Sequence, residues 1–123
     1  MTYPGHATIL VVEDDMLIRM NSSDTLQHAG YSVIEAESAD EAITLLEQAD
    51  HVELLFSDID MPGSMDGLDL AATVHRRWPN VRLLLTSGKH RLSTDEIPDH
   101  GQFVPKPYSS HALVAQIKGL LVE

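Results

Sequence analysis

Four apolar runs in this sequence each give way to a polar residue able to take part in chemistry. Ile9-Leu10-Val11-Val12 is followed by Glu13-Asp14, and Leu54-Leu55-Phe56 leads to Asp58. Val81 to Leu85 ends at Thr86, and Phe103-Val104 is followed by Lys106. Brought together, these ends supply three carboxylates, one hydroxyl and one ammonium. Like charges a few ångströms apart cannot all stay ionised without protons or a cation, and one lysine does not neutralise three carboxylates. Hard oxygen donors select Mg2+ or Ca2+ over softer transition metals. Such a set suits phosphoryl transfer: cation and ammonium offset charge on the equatorial oxygens, and a carboxylate can attack phosphorus.

For the four ends to meet, the runs must be strands lying side by side and pointing the same way. They are continuous rather than alternating, as strands covered on both faces should be. Helical patterns separate them. A helix is expected from about Asp15 to Ala29, closed by Gly30, and a more peripheral strand over Tyr31 to Ala36. Ser38-Ala39-Asp40-Glu41 reads as a capping box ahead of Ala42, Ile43 and Leu46 at helical spacing. Pro62 and Gly63 place Met61 to Met65 in a loop. Leu68, Ala71, Val74 and Trp78 line one helical face that Pro79 stops, and Ser109 or Ser110 caps a last helix carrying Leu113, Ile117, Leu120 and Leu121. The alternation predicts a mostly parallel sheet with helices on both faces, whose ligands sit at the C-terminal edge of the strands.

Composition sets the outer bounds. The 123 residues fit one domain, 1–123, with no output domain visible and no repeat or linker. Nineteen acidic residues against eight basic ones give a net charge of -11, which repels nucleic acid and anionic lipid, so neither is an expected partner. No apolar run is long enough to span a membrane, and Met1 to Thr8 is too short and polar for a secretory leader. The lack of cysteine excludes disulfides and thiolate metal sites and suits a reducing compartment, so a cytoplasmic location is expected.

Four blocks resemble those of response-regulator receiver domains. They are Ile9-Leu10-Val11-Val12-Glu13-Asp14-Asp15; Asp58-Ile59-Asp60-Met61-Pro62 with Asp66-Gly67; Leu85-Thr86-Ser87-Gly88; and Pro105-Lys106-Pro107-Tyr108. The resemblance runs from about Thr8 to Leu121. It implies a single flavodoxin-like, doubly wound, parallel five-stranded sheet in the order 2-1-3-4-5. It also implies that Asp58 accepts a phosphoryl group from a histidine kinase or phosphotransfer protein, so that the domain switches its binding surface for a downstream partner. Such a domain assists its own phosphoryl transfer and slow autodephosphorylation but is not otherwise an enzyme. Mg2+ would be held by Asp14 directly, by Glu13 through water, and by Asp58 and the Asp60 backbone carbonyl. Lys106 would contact a phosphoryl oxygen, with the Lys106-Pro107 peptide cis. Thr86 would turn its hydroxyl onto the phosphoryl group while Phe103 changes rotamer, and the small Ser87 would leave that group accessible.

Two segments depart from the family pattern. Gly63-Ser64-Met65 is one residue longer than usual, so that loop should bulge. Lys89 to His100 has only Leu92 and Ile97 as large apolar residues and is broken by Pro98, so the fourth helix is expected to be short or irregular. Other features have plainer readings: Asp15 as a helix cap, Asp66 and Asp69 as a helix-start pair, Trp78 as packing, and the seven histidines as surface or packing residues. Two alternative functions stand beside the first. One is a degenerate receiver acting only as a protein-interaction module. The other is a haloacid-dehalogenase-like phosphohydrolase, for which Asp58-Ile59-Asp60 supplies the Asp-x-Asp, although on a later strand than that family uses.

Overall fold

A computed structural model describes residues 7–121 of the chain. Five strands, β1 (Thr8–Val12), β2 (Ser32–Ala36), β3 (Leu54–Asp58), β4 (Arg82–Ser87) and β5 (Gln102–Pro105), form one sheet in the order β2-β1-β3-β4-β5, every neighbouring pair parallel. This is the predicted order. The helices are α1 (Met16–His28), α2 (Ala39–Gln48), α3 (Gly67–Arg77) and α4 (Ser110–Leu121).

The continuous apolar runs are explained by a core on each side of the sheet. Leu10 and Val12 of β1, Leu55 of β3, and Leu83 and Leu85 of β4 pack with Ala42 and Leu46 of α2 and with Leu70 and Val74 of α3. Their alternates Ile9, Val11, Leu54, Phe56 and Leu84 pack on the other face with Leu26 of α1 and with Leu113 and Ile117 of α4. A strand side chain points to alternate faces, so a strand buried on both faces needs apolar residues at every position. Residues 9–12 of β1, 54–56 of β3 and 83–85 of β4 meet that demand; the edge strand β2 has only Ala36 fully buried and reads as weakly patterned for that reason.

Helix starts follow their caps. Asp15 accepts from the Leu17 and Ile18 amides, and Ser109 from the Ala112 amide. Ser38 accepts from the Glu41 amide, but Glu41 returns its bond to Glu37 rather than to Ser38, so the reciprocal half of the predicted box is displaced by one residue. The full capping box lies instead at Asp66 and Asp69, where each side chain accepts from the other's amide. Between β4 and β5 no α-helix forms. Two single 3-10 turns, Thr94–Glu96 and Pro98–His100, take its place, with Ile97 buried and Leu92 half-buried beneath them. Segments this short cannot offset helix nucleation by themselves, and two apolar residues are too few to dock a longer helix.

Candidate functional site

The parallel ladder places the polar strand ends at one edge. Asp58 pairs with Thr86 in the β3–β4 register, so the two side chains stand side by side. The Ile59 amide donates to the Thr86 carbonyl at 2.9 Å and the Lys106 amide to the Ser87 carbonyl at 3.0 Å, extending the ladder into the loops that carry the site. Glu13 is set beside them by the amide bond to Ala36 and by the Arg19 guanidinium, which donates to the Glu13 carbonyl at 2.8 Å.

Glu13, Asp14 and Asp58 each offer an oxygen, all lying within 4.8 Å of one another. Glu13 and Asp58 are only 4% exposed, whereas Asp14 faces solvent. Lys106 reaches into this group: its Nζ donates to Glu13 Oε1 at 2.8 Å and stands 3.3 Å from Asp58 Oδ2. Burial pushes the Glu13 carboxyl up to about 7, with the Asp58 charge adding to the rise and the Lys106 bond only partly offsetting it. Burial alone would lower Lys106, but the bond to Glu13 and the charges of Asp58 and Glu13 outweigh it, and its ammonium is held above the ordinary value. Two buried acids and one ammonium thus leave the cleft short of positive charge, which a divalent cation on these hard oxygens would supply. The Thr86 hydroxyl is 2% exposed as a residue and has no hydrogen-bond partner among the described residues. Orphaned buried hydroxyls are uncommon because they forfeit a bond to water, which sets Thr86 apart from the other polar groups of this edge.

Glycine at 67 lets α3 come close. Its amide donates to the Ile59 carbonyl at 3.0 Å, and a Cβ there would strike the Asp58 carbonyl and the Ile59 Cα. In the lengthened loop Gly63 has φ 109°, a conformation that side chains resist, and Ser64 lies against the Asp40 carboxylate of α2. Phe103 of β5 is half-buried and packs on the α2–α3 side of the core. The Lys106-Pro107 peptide is cis.

Two features escaped sequence reasoning. His90, read as a surface or packing histidine, places Nδ1 3.0 Å from Asp60 Oδ1, and the Ser87 hydroxyl donates to Asp60 Oδ2 at 2.5 Å. No fixed spacing announces this contact, because β3 and β4 bring it about. The second is an apolar patch on α1: Met16, Leu17 and Met20 are 59%, 74% and 50% exposed. It borders a groove of about 770 Å3 lined in part by Leu17, Ile18, Pro107, Tyr108 and Lys106 itself.

A family profile described as "Response regulator receiver domain" matches residues 9–118. The chain belongs to that family. It is 34% identical over 121 residues to the sensor kinase CckA of Brucella abortus, a match covering 95% of this chain and 13% of that kinase. Among solved structures, the receiver domain of the hybrid histidine kinase CckA superposes with a TM-score of 0.81 at 31% identity, covering 94% of this chain and all of that one. The response regulator TrrA of Thermotoga maritima, solved in complex with Mg2+-BeF, gives a TM-score of 0.80 at 28% identity over 94% and 99% of the two chains. The chain therefore spans a small part of the curated kinase it matches. Receiver domains are regulatory switches that bind Mg2+ at an acidic pocket and interact with histidine kinases or phosphotransfer proteins. Among the described residues of this receiver, no helix is long and apolar enough to cross a membrane.

Proposed function

We propose that this receiver takes a phosphoryl group onto Asp58 from a histidine kinase or phosphotransfer protein and thereby switches its binding surface. One observation carries the reading: a buried carboxylate at the end of the central strand lies 3.3 Å from an ammonium, amid two further carboxylates and an orphaned hydroxyl. Asp58 attacks phosphorus, the bond from phosphorus to the donor nitrogen breaks, and its electron pair stays with the departing imidazole. Lys106 is placed to meet the negative charge of the transferring group without a change of partner strand. Thr86 would give its hydroxyl to a phosphoryl oxygen and so satisfy its lost bond. Phe103 would change rotamer with it, which connects the site to β5.

The donor set fits Mg2+: Glu13, Asp14, Asp58 and the Asp60 carbonyl are hard oxygens, and no nitrogen or sulfur competes among them. When bound, the ion would neutralise the carboxylates and the incoming phosphoryl oxygens. The TrrA complex with Mg2+-BeF supports this reading for a similar chain. The degenerate-receiver alternative is disfavoured because acceptor, acidic pair and lysine are all present and converge. The phosphohydrolase alternative is disfavoured by the position of Asp58 on β3, the third strand in the chain.

Intact-mass measurement after incubation with acetyl phosphate and Mg2+ tests the proposal. The wild-type chain should gain one acid-labile phosphoryl group and Asp58→Asn none. Equal labelling of both would exclude Asp58 as the acceptor.

A further inference from the structure

The Asp60 side chain points not at the acceptor but at the loop after β4. Its Oδ2 accepts from the Ser87 hydroxyl at 2.5 Å and its Oδ1 from His90 Nδ1 at 3.0 Å. A carboxylate can only accept, so the shared proton belongs to the imidazole Nδ1. Ser87 is itself fully buried and held in place, since its Oγ also accepts from the Lys89 and His90 amides at 3.0 and 2.9 Å. The loop Ser87 to His90 thus folds into a small cup whose two donors close on one carboxylate.

The backbone of Asp60 has the opposite orientation. Its amide points back to the acceptor, 3.3 Å from Asp58 Oδ1. Among the described residues, Asp60 makes these two side-chain contacts and this amide hydrogen bond. Its neighbours are tied as well, Ile59 to Thr86 and Gly67, and Met61 to Ile59. The Asp60 amide lies in the Ile59-Asp60 peptide and its carbonyl in the Asp60-Met61 peptide, both steadied by the bond from the Met61 amide to the Ile59 carbonyl. The grip of Ser87 and His90 on the carboxylate adds the tether that joins Asp60 to the loop after β4.

We infer that His90 is a positioning residue for the acceptor site, acting through the Asp60 carboxylate to help hold the Asp60 backbone against Asp58 and its cation. The inference rests on the assignment of Asp58 as acceptor and of the Asp60 carbonyl as a cation ligand. Among the described residues His90 contacts Asp60 and Ser87 through Nδ1 and makes no hydrogen bond or ion pair to Glu13, Asp14 or Asp58. Its contribution is to remove a rotational freedom that would otherwise be lost on binding, as groups just outside a metal's ligands commonly do. The imidazole is 57% exposed, so the effect falls at the low end of what such groups deliver.

Calorimetric titration of the full chain with Mg2+ alone, and then with beryllofluoride in Mg2+, tests the inference on wild type, His90→Leu and His90→Asn. Leucine keeps bulk but cannot donate. The asparagine amide nitrogen stands about where Nδ1 stands and can restore the bond. His90→Leu should weaken both probes roughly three- to tenfold with an unchanged melting temperature, while His90→Asn stays within about twofold of wild type. Wild-type affinities in His90→Leu, or equal impairment in both variants, would overturn the positioning role. A wild-type chain that binds neither probe would overturn the acceptor and cation assignment along with it, which separates the two failures.

Discussion

Glu13 Oε1 lies 2.8 Å from Lys106 Nζ, a contact that ties the end of the first strand to the loop after the fifth beside Asp58. The lysine is nearer to Glu13 than to Asp58 and is shared between the two acids. A phosphoryl group on Asp58 would compete with Glu13 for it. That competition offers a physical route by which chemistry at β3 is felt at β1 and β5.

The Glu13 carboxyl makes the metal-free protein pH-sensitive. Its folded value is about 7 against 4.5 for the free side chain, so the folded state binds the proton more tightly than the unfolded one. Stability from this group is fully present below about 4.5 and is lost as pH rises through 7. The loss should be on the order of 1–3 kcal/mol. Thermal melts in chelator between pH 5 and 7.5 should show the decline in wild type, and a flatter profile in Glu13→Gln. A parallel decline in both would contradict the assignment.

Lys106→Arg should separate charge from shape. The guanidinium keeps the charge but spreads it over a planar fork, which cannot serve Glu13 and Asp58 from one point. Mg2+ affinity should stay within about twofold, since no cation ligand is lost. Beryllofluoride-induced NMR shifts around Thr86 and Phe103 should shrink. Full wild-type shifts in the variant would count against a direct contact between Lys106 and the phosphoryl group.

Gly67→Ala should cost about 1–3 kcal/mol, because its Cβ meets backbone atoms of Asp58 and Ile59 that cannot turn aside. The first turn of α3 must retreat and take the acceptor loop with it, so phosphorylation by acetyl phosphate should slow as well. Gly119→Ala in α4 is the control: nothing lies within 4 Å, and helix propensity should raise stability by about 0.5–1 kcal/mol. Denaturant titration reads both, and a neutral Gly67→Ala would refute the close-approach argument.

We expect a phosphodonor protein to dock on the Met16, Leu17 and Met20 patch, since the groove beside it is lined in part by Lys106 and Pro107. Large exposed apolar groups that adjoin a reactive site are candidates for a docking surface. Leu17→Glu should slow phosphoryl transfer from the cognate kinase by about tenfold or more, while labelling by acetyl phosphate, which needs no docking, changes less than about twofold. Equal effects on both donors would place the defect in the site instead.

Much of this receiver was legible in its residues. The strand ends Glu13-Asp14, Asp58, Thr86 and Lys106 could be read because apolar runs covered on both faces are unbroken, and a polar residue that ends one marks the sheet's edge. The gap between β4 and β5 was legible for the converse reason: Leu92 and Ile97 with Pro98 cannot support a docked helix, and only 3-10 turns form. What the linear order did not contain was contact across strands. Lys106 favours Glu13 over Asp58, Arg19 grips the Glu13 carbonyl, and His90 closes on Asp60. These contacts join residues with no common period, and they depend on strand register and on which loop bends toward which. Burial works the same way, for the shift of Glu13 to about 7 comes from the apolar layers that close around β1 only when the sheet assembles. Residue type and spacing determined which groups gather at the edge, and packing decided which of them pair, because pairing depends on ångström distances that only the folded sheet sets.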